Sequence, residues 1–208
     1  MKIYIVRHGE TALNARGIMQ GQINEPLNQN GRDLAIMTGR AITGIRFDAC
    51  ISSSLGRARE TAEIILRESG NDIPIRLDDR LLEISCGDME ERALSEMGDE
   101  GRKFFTDPFH FGFPNGESII DLCGRTQAFL KELIALDDGK TYLISTHGCA
   151  MRAMIHYLKD EPASYWGDHA PYNCSFTILE AEGGVGRIAE IDKVYYDQSL
   201  IADYYSIS

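Results

Sequence analysis

Short apolar stretches of strand-like composition alternate along this chain with stretches whose apolar residues recur at helical spacing. The predicted strands lie in IYIV, FDACISSS, IPIRLDDRLLEI and TYLISTH, followed by a pair around the Gly183-Gly184 turn. The predicted helices span about 28–42, 55–68, 118–136 and 149–158, the third with Ser118 as N-cap and Gly139 as its closing residue. This alternation predicts an α/β fold, a three-layer α/β/α sandwich with a mostly parallel central sheet.

The sequence shows no internal repeat, low-complexity tract or linker, so we expect one domain over residues 1–208. The stretch at about 87–117 differs from the rest because it is first acidic and then rich in phenylalanine. We interpret it as an insertion folded over one end of the sheet. Two hypotheses remain open for it, a small satellite core and a lid over a site. Its phenylalanines are Phe104, Phe105, Phe109, Phe111 and Phe113.

Composition excludes several classes of protein. The net charge of -11 argues against a nucleic-acid-binding protein, which normally presents a basic surface. No apolar run reaches membrane-spanning length, and the N-terminus lacks a signal-peptide pattern. The five cysteines include no CxxC pair, which favours reduced thiols. We therefore expect a cytoplasmic protein without nucleic-acid or membrane partners, and the Asn173 glycosylation sequon carries little weight.

Charged side chains follow three of the predicted strands directly. Arg7 and His8 end the first, Arg57 begins the helix after the second, and His147 ends the TYLISTH strand. A further loop carries Glu83. In open α/β sheets, ligands bind beyond the carboxyl ends of the strands. Charges at the edge of a core are costly unless they are paired, and a bound anion would pair with these cations.

The segments RHG and THG share one pattern, in which an apolar strand is followed by histidine, glycine and a helix. We expect the glycine to let the backbone approach a ligand closely. The helix N-terminus adds partial positive charge, and two arginines can grip an oxyanion. Each residue alone would more often be structural. Their combination at one sheet edge predicts a site for a phosphoryl group.

Six blocks of this sequence occur in the order found in a known family. RHGET, QGQINEPLNQNG, SSSLGRARETA, LLEISCGDME, PNGES and STHGCAMRAM resemble the histidine phosphatase superfamily, also called phosphoglycerate-mutase-like. The resemblance covers about Ile3 to Met154, with NCSFTIL as a weaker C-terminal element. It implies that His8 is the nucleophile and Glu83 the proton donor. Phosphate-binding positions implied by the matching blocks are Arg7, Asn14, Gln20, Gly21, Arg57, His147 and Gly148.

The expected reaction is the hydrolysis of a small phosphate ester through a phosphohistidine, with no cofactor. A covalent intermediate divides a very slow hydrolysis into two displacements. His8 is expected to be neutral beside two arginines, and Glu83 to protonate the leaving group and then deprotonate water. His8, His147 and Glu83 could also be drawn as zinc ligands. The neighbouring arginines would repel a dication, so no metal is expected.

The sequence departs from the common family pattern at three places. Asn24 stands where aspartate is frequent, Cys149 follows the second His-Gly where glycine is common, and the segment GDMEER contains Met89 and Arg92 in place of a G-x-W-E-G-like pattern. None of these changes removes a catalytic candidate. The altered GDMEER loop bears on substrate preference and on the shape of the insertion.

The sequence favours a phosphatase over four other functions. A phosphoglycerate mutase would need a longer, basic insertion, whereas this one offers only Arg102 and Lys103 and is rich in phenylalanine. An inactive relative that binds phosphorylated ligands or a protein would be expected to lack a catalytic candidate. Cys86 and Arg92 have the spacing found in cysteine phosphatases, but the acidic residues between them would repel a bound phosphate. GVGRIA sits in a strand-turn-strand context and not between a strand and a helix, which is the wrong context for dinucleotide binding.

Overall fold

A six-stranded sheet forms the centre of the protein. The computed structural model describes residues 1–93, 96–159, 165–166 and 170–201, so Leu94 and Ser95 of the expected insertion lie outside the described residues. The sheet order is β3-β2-β4-β1-β5-β6. Pairing is parallel from β3 through β2 and β4 to β1, and antiparallel from β1 to β5 and β6. The strands are β1 Lys2–Arg7, β2 Ala49–Ser52, β3 Ile75–Leu77, β4 Thr141–Thr146, β5 Phe176–Glu182 and β6 Val185–Lys193.

Six α-helices are described along the chain. The four helices predicted from the sequence are present with each end shifted by one residue, and the short α1 and α4 were not predicted. They are α1 Ala12–Ala15, α2 Gln29–Ala41, α3 Gly56–Ser69, α4 Gly98–Thr106, α5 Ile119–Ala135 and α6 Gly148–Tyr157. The predicted α/β class with a mostly parallel sheet is confirmed.

Alternate residues of β1 enter two different cores, as the two-residue period of a strand requires. Tyr4 and Val6 pack in a cluster that includes side chains of α2 and α3. Ile3 and Ile5 pack in a second cluster with side chains of α5 and α6, such as Phe129. Helices therefore cover both faces of the sheet, and the site at its carboxyl edge is held between two packed layers.

Helix α5 begins where the sequence predicts and ends before the predicted residue. Ser118 is the N-cap of a capping box with Asp121. The helix ends at Ala135, with Leu136 as C-cap. Gly139 as the closing residue is therefore wrong. The chain leaves the helix earlier because Asp137 adopts a left-handed conformation, and its side chain accepts a hydrogen bond from Gly183 N.

The phenylalanine-rich insertion is largely a third packed core. Phe104, Phe111 and Phe113 are buried together with side chains of α5 and α6. Trp166 packs against Phe104 and donates its indole N–H to the Phe104 carbonyl oxygen at 3.0 Å. Phe109, in contrast, is 36% exposed. The packing of the three buried rings supports the satellite-core hypothesis.

The glycine after the first site histidine serves a contact that the sequence did not suggest. A Cβ on Gly9 would lie 2.5 Å from the Gly31 carbonyl oxygen, and one on Gly31 would lie 2.2 Å from the Glu10 carbonyl oxygen. Both atoms belong to backbone that cannot move aside like a flexible side chain. Gly9 thus allows the end of β1 to touch the first turn of α2. The expected close approach of its backbone to a ligand stays a prediction.

We predict opposite effects of adding one methyl group at two helical glycines. Gly31→Ala should lower the free energy of unfolding by about 1–3 kcal/mol, because its Cβ overlaps backbone atoms. Gly124→Ala in α5 meets no atom within 4 Å and should raise stability by about 0.5–1 kcal/mol through helix propensity. Urea unfolding of the two variants measures both effects. Equal stability of Gly31→Ala and wild type would contradict the close-contact argument.

Candidate active site

Three strand ends meet at one edge of the sheet and bring the site histidines together. His8 N donates to the Thr146 carbonyl oxygen and Ser53 N to that of Ser145, so the ends of β1, β4 and β2 lie side by side. The rings of His8 and His147 lie 5.1 Å apart between centroids. Both side chains are buried. The juxtaposition expected from the sheet topology is therefore present.

Arg57 connects these histidines to the loop that follows α1. Its side chain is almost fully buried in the first turn of α3. The guanidinium donates to the carbonyl oxygens of Gly21 at 2.8 Å and Ile23 at 2.5 Å, and Arg57 Nε lies 3.3 Å from His8 Nε2. The two carbonyl contacts fix the orientation of the guanidinium at a place where its charge faces His8.

The contacts of His8 determine where its proton lies. His8 Nδ1 is 2.7 Å from the Gly9 carbonyl oxygen, which can only accept, so Nδ1 carries the proton. Arg57 Nε can only donate, so His8 Nε2 presents its lone pair. One neutral tautomer satisfies both contacts. This tautomer leaves Nε2 as a potential nucleophile.

Electrostatics favours the same neutral state. Burial, followed by the charges of Arg57 and Arg7, holds the pKa of His8 well below its usual value. Burial and the charge of Arg57 also hold the pKa of His147 well below its usual value. The expectation of a neutral His8 beside two arginines agrees with its lowered pKa.

His147 is oriented by a serine that precedes Arg57. Ser53 Oγ lies 2.8 Å from His147 Nε2 and accepts a hydrogen bond from Leu55 N. When the hydroxyl donates to Nε2, the imidazole proton resides on Nδ1. His147 Nδ1 is buried without a hydrogen-bond partner within the described part of the chain. A phosphate oxygen would be a suitable acceptor for it.

Arg7 is held by the segment that precedes β5. Its guanidinium donates to the Pro171 carbonyl oxygen, and its own carbonyl oxygen accepts from Cys174 N. Asn173 Nδ2 donates to the His8 carbonyl oxygen at 2.9 Å. The buried Asn173 is therefore part of the support for the strand end, which agrees with giving its sequon little weight.

The Glu83 carboxylate lies at the N-terminus of α6, the helix that begins directly after His147. Its carboxylate accepts hydrogen bonds from the backbone N–H groups of Ile84, Cys149 and Ala150, at 3.0, 3.2 and 3.3 Å. The α6 contacts place the predicted proton donor beside the predicted phosphate pocket. Cys149, one of the departures from the family pattern, thus contributes a backbone N–H, while burial and Glu83 raise the pKa of its thiol.

The remaining predicted phosphate ligands lie around the same strand end. Asn14 is buried and forms a capping box with Thr11 at α1. Thr11 Oγ1 also donates to Gln20 Oε1 at 2.8 Å, and the Gly21 carbonyl oxygen binds Arg57. An added Cβ at Gly148 would lie 3.6 Å from Arg7 Nε. Asn14 and Gln20 therefore contact Thr11, while Gly21 and Gly148 lie against the arginines.

Sequence reasoning missed three residues that organise the site. Ser53 orients His147, Asn173 supports His8, and Arg125 binds the loop that carries Glu83. Ser53 lay in a strand exit that was already recognised, so its position was an available signal. The contacts of the other two cross large sequence separations and leave no local pattern.

Asn24 and the two motifs that resemble those of other families have defined positions in the structure. Asn24 Oδ1 accepts from Gly56 N at 2.7 Å and thereby caps α3, the helix of Arg57. Cys86 is buried, and burial together with the Glu83 and Glu90 carboxylates raises its thiol pKa. A thiol in this state is a poor phosphatase nucleophile. GVGRIA lies in the β5–β6 hairpin, as expected.

Among the described residues, no three histidine, cysteine, aspartate or glutamate side chains form a group that could hold a metal ion. None of the described helices is long and apolar enough to cross a membrane.

The family model of the histidine phosphatase superfamily (branch 1) matches residues 3–193. The chain belongs to the histidine phosphatase superfamily. It is 32% identical to a protein of Salmonella choleraesuis (strain SC-B67) named "Probable phosphoglycerate mutase GpmB", over 86% of this chain and 85% of the relative. Members of this superfamily are phosphatases or mutases that act on small phosphorylated substrates.

Solved structures of the superfamily share the fold. YhfR of Bacillus stearothermophilus superposes with a TM-score of 0.85 at 32% identity, covering 93% of this chain and 97% of that chain. The α-ribazole phosphatase of Shigella flexneri superposes with a TM-score of 0.81 at 24% identity, covering 93% and 96%. At that lower identity the likeness shows the fold alone.

We predict that the protein loses stability as the pH falls below about 6.5. His8 and His147 have lowered pKa values, so the unfolded chain binds protons that the folded chain does not. The free energy of unfolding should fall by roughly 1 kcal/mol per histidine between pH 7 and pH 5.5. Denaturant unfolding at the two pH values measures this loss.

His147→Asn should show a smaller loss between the two pH values than wild type. The control is His110→Gln, because His110 is exposed and its pKa is raised by Asp107. This control should retain the decline. An identical pH dependence in His147→Asn and wild type would mean that the imidazole does not contribute.

Proposed function

We propose that the protein is a phosphomonoesterase that hydrolyses a small phosphorylated metabolite through a phosphohistidine on His8. The observation that carries this proposal is the state of the His8 ring. Its Nδ1 proton is committed to the Gly9 carbonyl oxygen, and its Nε2 lone pair faces the Arg57 guanidinium. A neutral imidazole beside a fixed cation suits attack on a phosphoryl group that the cation binds.

In the first step, His8 Nε2 attacks phosphorus and the bond to the leaving oxygen breaks. Negative charge on the equatorial oxygens would be met by Arg7, Arg57 and His147. The two arginines already hold backbone carbonyl oxygens, so their guanidinium groups are oriented before substrate arrives. Such preorganisation lowers the cost of stabilising the transition state.

Proton transfer is assigned to Glu83. In the first step its carboxylic acid protonates the departing oxygen. In the second, its carboxylate removes a proton from water, which attacks the phosphohistidine and releases inorganic phosphate. His8 then regains its Nε2 lone pair. Ile84 N, Cys149 N and Ala150 N hold the carboxyl group in place for both steps.

The charges near the site favour a phosphatase over a phosphoglycerate mutase. Glu90 lies against Gly21, and its carboxylate accepts from Gln22 N and Cys86 N. This carboxylate would repel a second anionic group on the substrate. In the insertion, Arg102 is exposed and pairs with Asp99. The names of relatives and neighbours include both mutase and phosphatase, so the preference stands on these charges.

We predict that His8→Ala abolishes phosphate release from p-nitrophenyl phosphate, because the variant has no nucleophile. Wild type quenched during turnover should carry phosphate that is labile to acid and stable to base, bound at His8. The control is His110→Ala, since His110 is an exposed histidine outside the site. It should retain full activity.

Near-wild-type hydrolysis by His8→Ala would refute the nucleophile assignment. A folded wild-type protein that binds phosphate esters, releases no phosphate and shows no phosphohistidine would instead be an inactive relative.

We predict that 3-phosphoglycerate is not isomerised efficiently. An assay that follows both phosphate release and the 2-phosphoglycerate product separates the two activities. Phosphate release from p-nitrophenyl phosphate should exceed isomerisation, because the Glu90 charge beside Gly21 disfavours a substrate with a second anionic group. Efficient isomerisation with little phosphate release would assign the chain to the mutases.

A further inference from the structure

The side chain of one arginine of α5 donates hydrogen bonds to main-chain carbonyl oxygens of the loop that carries Glu83. Arg125 Nη1 donates to the carbonyl oxygens of Arg80 at 3.0 Å and Leu82 at 2.6 Å, and Arg125 Nη2 donates to that of Glu83 at 2.8 Å. Three carbonyl oxygens within four residues therefore converge on a single guanidinium. The backbone of Glu83 cannot move without breaking these contacts.

Glu117 completes this arrangement from the other side of the loop. Its carboxylate accepts from Arg125 Nε and Arg125 Nη2, both at 2.8 Å, and from Ser85 N at 2.9 Å. Burial opposes its charge, but hydrogen bonds from Arg125 and Ser85 outweigh burial and lower the pKa of Glu117. Arg125 and Glu117 thus hold the chain on both sides of Glu83.

All five N–H groups of the Arg125 guanidinium are used in these contacts: Nε on Glu117, both of Nη1 on carbonyl oxygens, and both of Nη2 on Glu83 and Glu117. A lysine offers three donors from one point and could not reach acceptors spread around the edge of a planar group. This geometry depends on the shape of the guanidinium as well as on its charge.

We propose that the Arg125–Glu117 pair positions Glu83 for proton transfer, so both are positioning residues for the reaction. The proposal rests on the proposed role of Glu83 as acid and base. The Glu83 main chain is fixed by Arg125, while its carboxylate is fixed by the N-terminus of α6. The carboxyl position is set by two separate elements, and loosening the main chain displaces the proton donor from the leaving oxygen.

The test is a double-mutant cycle with Glu83→Gln and Arg125→Lys on an alkyl ester, ethyl phosphate. An alkoxide needs a proton to leave, so general acid catalysis is fully expressed with this substrate. Each single variant should lose on the order of 10²-fold in kcat. If Arg125 acts through Glu83, adding Arg125→Lys to Glu83→Gln should cost less than about threefold more.

A second readout uses p-nitrophenyl phosphate, whose leaving group departs as a stable anion without a proton. In Arg125→Lys the rate constant of the nitrophenolate burst should stay within about threefold of wild type, because phosphorylation of His8 needs no acid. Steady-state turnover should fall, because dephosphorylation needs Glu83 as base. Phosphohistidine should accumulate in consequence. A variant with a generally damaged fold would lose the burst as well.

Two further variants complete the design. Arg80→Lys alters another arginine of the same loop, whose guanidinium donates to the Asp78 and Glu132 carboxylates, and should keep full turnover of ethyl phosphate. Glu117→Gln removes the partner charge and should reproduce the direction of the Arg125→Lys effect. It provides the same test if Arg125→Lys does not fold.

Multiplicative losses in the double variant, or a burst that slows as much as turnover, would overturn the positioning role. Full activity of both Arg125→Lys and Glu117→Gln would do the same. In either case wild type would still hydrolyse ethyl phosphate. Failure of the proposed function would give a different result, because wild type itself would then release no phosphate from either ester.

Discussion

The contact between Arg57 and His8 is the constraint on which the site depends. A buried guanidinium is costly unless its donors are satisfied, and here backbone carbonyl oxygens of Gly21 and Ile23 satisfy part of it. Its Nε faces His8 Nε2 and, together with burial, keeps that imidazole neutral. The loop after α1, the start of α3 and the end of β1 must therefore hold one fixed arrangement.

The local supports follow from that arrangement. Asn24 caps the helix of Arg57, Thr61 links Gly9 to α3, and Gly31 lets α2 touch the end of β1. On the other side, α6 presents its first N–H groups to Glu83. Although the protein carries a net charge of -11, the charges of Arg57 and Arg7 act together on the buried His8.

The sequence predicts the strands and helices because their patterns are local. It predicts the meeting of the charged strand ends because parallel strands share one carboxyl edge. β1 shows its apolar run before Arg7, and the parallel topology then places His8 beside His147. The short α1 and α4 are not predicted, since few residues of each enter a periodic pattern. The role of Gly9 in packing and the reach of Arg125 to Glu83 depend on contacts between distant segments. Periodicity, caps and motifs do not record such contacts.

The chain contains one tryptophan, and its environment is the phenylalanine-rich insertion. Trp166 packs against Phe104 and Phe105, while its neighbour Tyr165 donates to the Cys149 carbonyl oxygen in the first turn of α6. Indole fluorescence of the intact protein thus reports from a single location, one hydrogen bond away from the helix that holds Glu83. Its emission spectrum can therefore report, without an added label, whether the surroundings of Trp166 change when a ligand binds.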